Sequence, residues 1–158
     1  MKTGDIVRLT VSIIVCFLPA IVGSIGMQTG GSAWYRELTK PALNPPGWVF
    51  GPVWTALYLL MGISLYLVWS RAGAPGVTFA IGVFAVQLVL NAIWTPAFFG
   101  MQSPATGLLV IIPLLILIAV STVLFWRIRP VAGWLLLPYL GWVSFATYLN
   151  ASIWWLNR

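Results

Sequence analysis

Charged side chains are so sparse that they divide this chain into four long uncharged runs. The runs cover 9–35, 41–70, 72–126 and 130–157, with 27, 30, 55 and 28 residues. Because a helix needs about 20 mainly apolar residues to cross a bilayer, each shorter run holds one helix. The longest run holds two, broken at 100–104. The predicted spans are about 6–28, 48–70, 77–99, 104–126 and 131–155.

The composition agrees with a chain that lies within a membrane. Of 158 residues, 61% are hydrophobic and 6% are charged, whereas soluble domains carry about 25% charged residues. Lipid offers no partner to an unpaired backbone group, so the spans are predicted to be helices, and the runs lack the alternation of a membrane barrel. Residues 6–28 are longer than the apolar core of a signal peptide and contain Pro19, so they are interpreted as a span. We expect an all-α membrane protein, a five-helix bundle forming one domain over 1–158.

Basic residues predict the orientation of the bundle. The net charge is +6, but the basic residues are scattered singly and form no patch, so nucleic-acid binding is not expected. The amino-terminal side would carry Lys2, Arg8, Arg71, Arg127 and Arg129, and the opposite side Arg36, Lys40 and Arg158. This bias favours a cytoplasmic amino terminus in a bacterial cell membrane.

One connection, 29–47, is much longer than the others. It carries Trp34 and Tyr35 beside charged residues and three prolines. Long connections are often functional, so this segment is the candidate lid or selectivity element. A passive surface loop is the alternative, and two aromatic side chains in a water-facing loop argue against it.

A proline-stiffened entry leads from this loop into an aromatic helix at 44–58. Pro45 and Pro46 favour extended backbone. Trp54 and Tyr58 are four residues apart and share one helical face. A rigid mouth carrying Trp48 and Phe50 above such a wall is how a pocket for a flat apolar ligand is built.

Polar and aromatic stripes on the third and fifth spans point into the bundle. Gln87, Asn91 and Thr95 recur every four residues, flanked by Trp94 and Phe98. An unpaired amide is costly in hydrocarbon, so this stripe is predicted to face the interior. It either bonds neighbouring helices or contacts a ligand, and the two roles can coexist. The fifth span repeats the pattern with Trp142, Phe145, Ala146, Leu149 and Asn150.

Two further patterns concern helix packing. The fourth span is nearly featureless and is interpreted as a lipid-facing or scaffolding helix. Gly76 with Ala80, and Ala20 with Ser24, have the spacing of small residues that lets helices approach closely.

The reactive residues that are missing narrow the chemistry. The chain has no histidine, one cysteine and two carboxylates, Asp5 and Glu37, both at span margins. Histidine-based triads, histidine metal sites, an internal disulfide and a paired-carboxylate acid–base site are therefore not expected. No metal site is predicted and no cofactor is required. Binding by stacking, apolar area and a few hydrogen bonds remains.

Several blocks of sequence together resemble the translocator protein / tryptophan-rich sensory protein (TSPO/MBR) family. They occur in the same order over nearly the whole chain and are WY (34–35), KP (40–41), NPPGWVF (44–50), WTALY (54–58), NAIWTP (91–96), FFG (98–100), PYLGW (138–142) and ATYLN (146–150). The resemblance implies a five-helix bundle, usually dimeric, that binds protoporphyrin IX, other tetrapyrroles and benzodiazepine-type ligands. Porphyrin would be a ligand or a substrate.

The resemblance also suggests roles for individual residues. Trp54 and Trp142 match pocket tryptophans implicated in light-dependent porphyrin breakdown by some bacterial members, and Trp34 matches the lid. The other matching pocket positions are Tyr58, Asn91, Trp94, Phe98 and Ala146. The sterol motif near Tyr148 fails, because the first basic residue after it is Arg158.

Three functions follow as hypotheses. The first is a tetrapyrrole-binding sensor or scavenger, with stacking from Trp54 and Trp142 and a propionate paired with Arg36 or Lys40. The second is a transporter of porphyrins, lipids or other small apolar molecules, although nothing in the sequence indicates a coupling ion. The third is a structural or stress-signalling partner whose aromatic stripes are core packing.

Overall fold

The computed structural model describes residues 3–26 and 32–158, and within these ranges all regular structure is helical. In the part of the chain that the structure describes, five helices are long and apolar enough to cross a membrane, which confirms the predicted all-α membrane fold. The helices are α1 (Thr3–Gly26), α2 (Ser32–Glu37), α3 (Gly47–Trp69), α4 (Val77–Thr95), α5 (Pro104–Ile128) and α6 (Pro130–Leu156).

The predicted spans and the observed helices differ by no more than a few residues at their ends. The predicted end of the first span, at 28, and the start of the long connection, 29–31, lie outside the described residues. That connection contains α2, a short helix not expected from the sequence. One turn of helix has too few residues to show an apolar period, so α2 escapes pattern-based prediction.

At its carboxyl end α4 continues as a π-helical turn, Pro96–Gly100. The amide of Met101 donates to the carbonyl of Pro96 at 2.9 Å, and the amide of Ser103 to that of Phe98 at 3.1 Å. Ser103 then caps α5, because its Oγ accepts from the amide of Thr106 at 3.3 Å.

The five long helices form a closed ring. Around the ring α1 packs on α3, α3 on α6, α6 on α5, α5 on α4, and α4 on α1. Gly62 of α3 allows a close approach to α1, because a Cβ there would come within 2.8 Å of the Cα of Ile13. Small residues give membrane helices this kind of contact, which gains dispersion energy along both backbones.

The helix α5 has a scaffolding role. Its side chains Ile111, Leu114 and Ile118 are fully buried against α4 and α6, while Leu109 and Ile116 are exposed on its outer face. A helix that is apolar on both faces suits a position between the bundle interior and lipid.

Candidate functional site

A cavity of about 630 Å³ occupies the end of the ring where α1, α4 and α6 finish and α3 begins. Helices α1, α3, α4 and α6, the π-helical turn and α2 line it, and no α5 residue does. Its lining consists of Phe17, Pro19, Ala20, Gly23, Ser24, Tyr35, Arg36, Gly47, Phe50, Gly51, Trp54, Thr55, Tyr58, Asn91, Trp94, Thr95, Phe98, Phe99, Trp142, Ala146, Leu149, Asn150 and Ile153.

One wall is a stack of aromatic rings on α3. The rings of Trp54 and Tyr58 are nearly parallel, with centroids 5.4 Å apart and an interplanar angle of 27°. The four-residue spacing puts both on one face, and Tyr139 of α6 meets Trp54 edge-on at 6.3 Å. These contacts hold the indole in place as a flat apolar surface.

The neighbouring wall is built on α6 around Trp142. Phe50 of α3 meets its ring edge-on at 5.8 Å, and Phe145 supports it at 5.8 Å. The indole Nε1 of Trp142 is buried and has no hydrogen-bond partner. Trp54 and Trp142 therefore both line the cavity, from two neighbouring helices.

A chain of hydrogen bonds closes the floor of the cavity. The hydroxyl of Tyr58 donates to Oδ1 of Asn91 at 3.0 Å, Nδ2 of Asn91 donates to the hydroxyl of Tyr139 at 2.9 Å, and that hydroxyl donates to Oε1 of Gln87 at 2.9 Å. All four side chains are buried. Because buried polar groups need partners, this chain joins α3, α4 and α6 into one rigid base.

A second polar junction holds the α4 wall. Asn150 accepts from the indole Nε1 of Trp94 at 3.2 Å and donates to the carbonyl of Pro104 at 2.7 Å. Gly107 makes room for it, because a Cβ there would lie 2.6 Å from Oδ1 of Asn150 and 2.6 Å from the ring of Phe98. The position of Trp94 thus depends on a glycine of α5 that does not line the cavity.

The helix α2 covers the cavity through aromatic contacts with the π-helical turn. The ring of Tyr35 lies 6.2 Å from Phe98 and 5.3 Å from Phe99, and Trp34 meets Phe98 at 5.6 Å. The hydroxyl of Tyr35 donates to Oδ1 of Asn44 at 2.8 Å, and burial raises the pKa of this phenol above its ordinary value. We call residues 34–44 the lid.

The lid is tied to the end of α6 by a reciprocal pair of hydrogen bonds. The amide of Thr39 donates to Oδ1 of Asn157 at 2.9 Å, and Nδ2 of Asn157 donates to the carbonyl of Thr39 at 2.9 Å. Within the lid, Nζ of Lys40 donates to the carbonyls of Arg36 and Leu38 and lies 4.8 Å from the centre of the Tyr35 ring. Lys40 is engaged by the lid itself, whereas Arg36 lines the cavity mouth.

Most residues predicted for the site are brought together by the fold. The predicted residues that line the cavity are Phe50, Trp54, Tyr58, Asn91, Trp94, Phe98, Trp142, Ala146 and Leu149.

Four predicted residues lie elsewhere. Trp48 is 77% exposed on the outside of α3. Gln87 is fully buried beneath the floor, and Phe145 packs behind Trp142, stacked on Tyr148 at 6.3 Å. Trp34 lines a smaller hollow of about 260 Å³ outside the lid, beside Ser103 and Asn157.

Sequence reasoning missed the whole contribution of α1. Phe17, Ala20, Gly23 and Ser24 line the cavity, yet they lie in a run of apolar and small residues with no polar stripe to mark one face. Asn150 and Thr95, in contrast, belong to the stripes already recognised on their helices.

Comparisons with known proteins identify the family to which the sequence is similar. A model described as the TspO/MBR family matches residues 12–156. Tryptophan-rich protein TspO of Chlorobaculum tepidum is 42% identical over 154 residues, covering 97% of this chain and 98% of that protein. The human Translocator protein is 39% identical over 139 residues, 87% of this chain and 82% of that protein. Tryptophan-rich sensory protein of Cereibacter sphaeroides is 38% identical over 142 residues, 90% and 86%.

Proposed function

The chain belongs to the TspO/MBR family, as a multi-pass membrane protein, and we propose that it binds a tetrapyrrole such as protoporphyrin IX in its cavity. The observation that carries this proposal is the pair of indoles, Trp54 and Trp142, on neighbouring walls of one cavity. Its volume of about 630 Å³ falls within the range of small-molecule sites, about 300–1,000 Å³. A large flat π-system gains stacking and apolar burial from both rings.

Charge at the cavity mouth supports an acidic ligand. A porphyrin such as protoporphyrin IX carries carboxylates at one edge of an apolar plane. Arg36 lines the mouth, and a guanidinium pairs with a carboxylate through two parallel hydrogen bonds. Lys40 already donates to two carbonyls of the lid, so Arg36 is the better candidate for this pairing.

Titration of the purified protein with protoporphyrin IX in the dark tests the proposal. We expect saturable binding with quenching of tryptophan and porphyrin fluorescence. The double variant Trp54→Leu with Trp142→Leu should bind at least about fivefold more weakly, since the two stacked aromatic pairs that it loses contribute about 0.5–1.5 kcal/mol each. Trp48→Leu is the matched control, because this exposed indole does not line the cavity. Unchanged binding by the double variant refutes the assignment of the pocket.

We also propose that light absorbed by the bound porphyrin starts its breakdown. The excited porphyrin takes one electron from the indole of Trp54 or Trp142, which leaves an indole radical cation and a porphyrin radical anion, and dissolved dioxygen is the oxidant that then reacts with the porphyrin. Illumination of the complex should bleach the porphyrin absorbance faster than illumination of free porphyrin. The double tryptophan variant, loaded to the same occupancy, should lose that difference. Equal bleaching rates in both proteins would leave binding as the activity and remove the photochemical step.

Transport is the alternative function, and the human relative is named Translocator protein. A through-pathway would need a route past the floor, where Tyr58, Asn91 and Tyr139 are hydrogen-bonded to one another across three helices. This closed floor supports binding over transport. Uptake of porphyrin into proteoliposomes, with and without an ion gradient, separates the two functions.

We propose a cytoplasmic amino terminus in a bacterial cell membrane, because more basic residues lie at the end of the bundle opposite the lid. Those in the described ranges are Arg8, Arg71, Arg127 and Arg129, against Arg36, Lys40 and Arg158 at the lid end. A phosphatase fused after Arg158 should then be active, and a green fluorescent protein fused there should be dark.

A further inference from the structure

Among the long helices, only α1 and α3 carry exposed residues of the cavity lining; Arg36 of α2, at the cavity mouth, is exposed as well. Ala20 and Ser24 of α1, and Gly51 and Thr55 of α3, line the cavity and are exposed. The lining residues of α4 and α6 are buried or half-buried. A cavity open only along its axis would expose all its walls alike, so this asymmetry indicates an opening between α1 and α3.

Contacts close the other sides of the cavity. Between α3 and α6, the ring of Phe50 meets that of Trp142 at 5.8 Å. Between α1 and α4, Gly23 fits against Thr95 so closely that a Cβ would lie 3.3 Å from its hydroxyl. Above, the lid rests on the π-helical turn through Tyr35.

The same two helices touch closely further down. Phe17 of α1 meets Tyr58 of α3 with centroids 5.5 Å apart, and below them the backbone of Ile13 lies against Gly62. The helices α1 and α3 therefore meet in their lower half and leave a gap above it. We call the opening between Ala20, Ser24, Gly51 and Thr55 the lateral gap.

The chemistry of the lateral gap suits lipid rather than water. The hydroxyl of Ser24 donates to the carbonyl of Ile21 at 2.7 Å, and that of Thr55 to the carbonyl of Gly51 at 2.9 Å. Both polar groups are thus satisfied within their own helix, and the rims present carbon. Satisfied backbone and side-chain groups are the condition for facing a bilayer core.

We propose that the lateral gap is a portal through which a ligand dissolved in the bilayer enters the cavity, while the lid stays tied to α6. This inference rests on the proposed function, because it concerns how the ligand of that cavity arrives. The acyl-chain region of the membrane is the surrounding that the lateral gap faces. An amphiphilic planar ligand would slide in with its apolar plane between the helices and its carboxylates toward Arg36.

Exchange kinetics of protoporphyrin IX in proteoliposomes test the portal. Gly51→Leu and Ser24→Leu narrow the lateral gap from opposite rims, and a Cβ at Gly51 meets nothing within 4 Å. Gly82→Leu is the matched control, since Gly82 lies on the outer face of α4 and its Cβ also meets nothing within 4 Å.

We expect the association and dissociation rate constants to fall together, about tenfold or more, in both rim variants. The dissociation constant should then change less than about threefold, and Gly82→Leu should exchange as the unmodified protein does. Unchanged association rates in both rim variants, or faster exchange only when the lid is released by Asn157→Ala, would overturn the portal.

A ligand-free measurement keeps this test separate from the proposed function. The single native thiol, Cys16, is fully buried, so a bimane label will go to an introduced Gly51→Cys. Brominated acyl chains should quench this label strongly, as at Gly82→Cys, and aqueous iodide should not. A Gly51 label shielded from brominated lipid overturns the portal whether or not porphyrin binds. Absent porphyrin binding with a quenched label overturns the proposed ligand alone.

Discussion

The indole nitrogen of Trp94 donates to Oδ1 of Asn150, 3.2 Å away across the α4–α6 interface. Asn150 also donates to the carbonyl of Pro104 at 2.7 Å, so one carboxamide links a cavity wall to the first turn of α5. We expect Asn150→Leu to weaken porphyrin binding several-fold, because Trp94 loses its anchor. Titration of the variant with protoporphyrin IX, followed by the quenching of tryptophan fluorescence, measures this effect. Ser144→Ala is the control on the same helix, since its exposed hydroxyl bonds only to its own helix.

Gly107→Ala should perturb the cavity although Gly107 does not line it. The added Cβ would lie 2.6 Å from both Asn150 and the ring of Phe98, and overpacking of this kind costs about 1–3 kcal/mol. We expect a lower thermal midpoint and weaker ligand binding together. Gly82→Ala, where the Cβ meets open space, should be neutral or slightly stabilising. Equal midpoints for the two variants would contradict the close packing at Gly107.

The hydrogen-bond chain at the floor predicts an order of stability losses. Tyr58→Phe removes one bond, to Asn91, whereas Tyr139→Phe removes two, to Asn91 and Gln87. Interhelical hydrogen bonds in membranes contribute about 0.6 kcal/mol on average. Reversible denaturation in mixed micelles should therefore show the larger fall in free energy of unfolding for Tyr139→Phe. Tyr148→Phe serves as the reference substitution, because Tyr148 is exposed. A larger loss of unfolding free energy in Tyr58→Phe than in Tyr139→Phe would show that this hydrogen-bond chain does not couple the helices.

Asn157→Ala should free the lid at one identifiable amide. The Thr39 N–H donates to Oδ1 of Asn157, so its hydrogen exchange should become faster in Asn157→Ala. Asn157→Asp keeps the acceptor oxygen and loses the donor to the Thr39 carbonyl, so it should retain much of the protection. Exchange at Thr39 that is equally slow in all three proteins would show that other contacts hold the lid.

Alkaline pH should destabilise the lid through Tyr35. Burial raises the pKa of this phenol in the folded protein, so the folded state holds its proton more tightly than the unfolded state. This contribution is fully present below the ordinary tyrosine pKa of about 10 and is lost as pH rises through the folded value. We expect the thermal midpoints of the unmodified protein and of Tyr35→Phe, each measured at a series of pH values from about 8 upward, to converge at high pH. Parallel curves would remove Tyr35 as the cause.

The long-range features of the fold are predictable from the sequence, because they follow from charge spacing. Lys40 and Arg71 bound the uncharged run 41–70, which contains the whole of the observed α3. The wall of Trp54 and Tyr58 follows from helical spacing alone.

The features that escaped prediction depend on tertiary contacts. Ala20 and Ser24 have the spacing of close helix packing, yet they line a gap, because α1 and α3 meet lower down at Gly62. Gln87 shares a stripe with Asn91 but lies one turn deeper, beneath the floor. Spacing determines which face of a helix a residue occupies, and the depth of a cavity along that face depends on neighbouring helices.

Because of the π-helical turn, the directions of Phe98 and Phe99 depend on the number of residues between Pro96 and Gly100, and not only on which residues they are. Its wide ring, closed by Met101 and Pro96, lets the neighbouring rings of Phe98 and Phe99, 4.8 Å apart, both meet Tyr35. In an α-helix successive side chains diverge by about 100°. A one-residue deletion within Pro96–Gly100 would therefore tighten the coil and swing one ring toward lipid. Natural length variation at this point would be a more severe change than most substitutions.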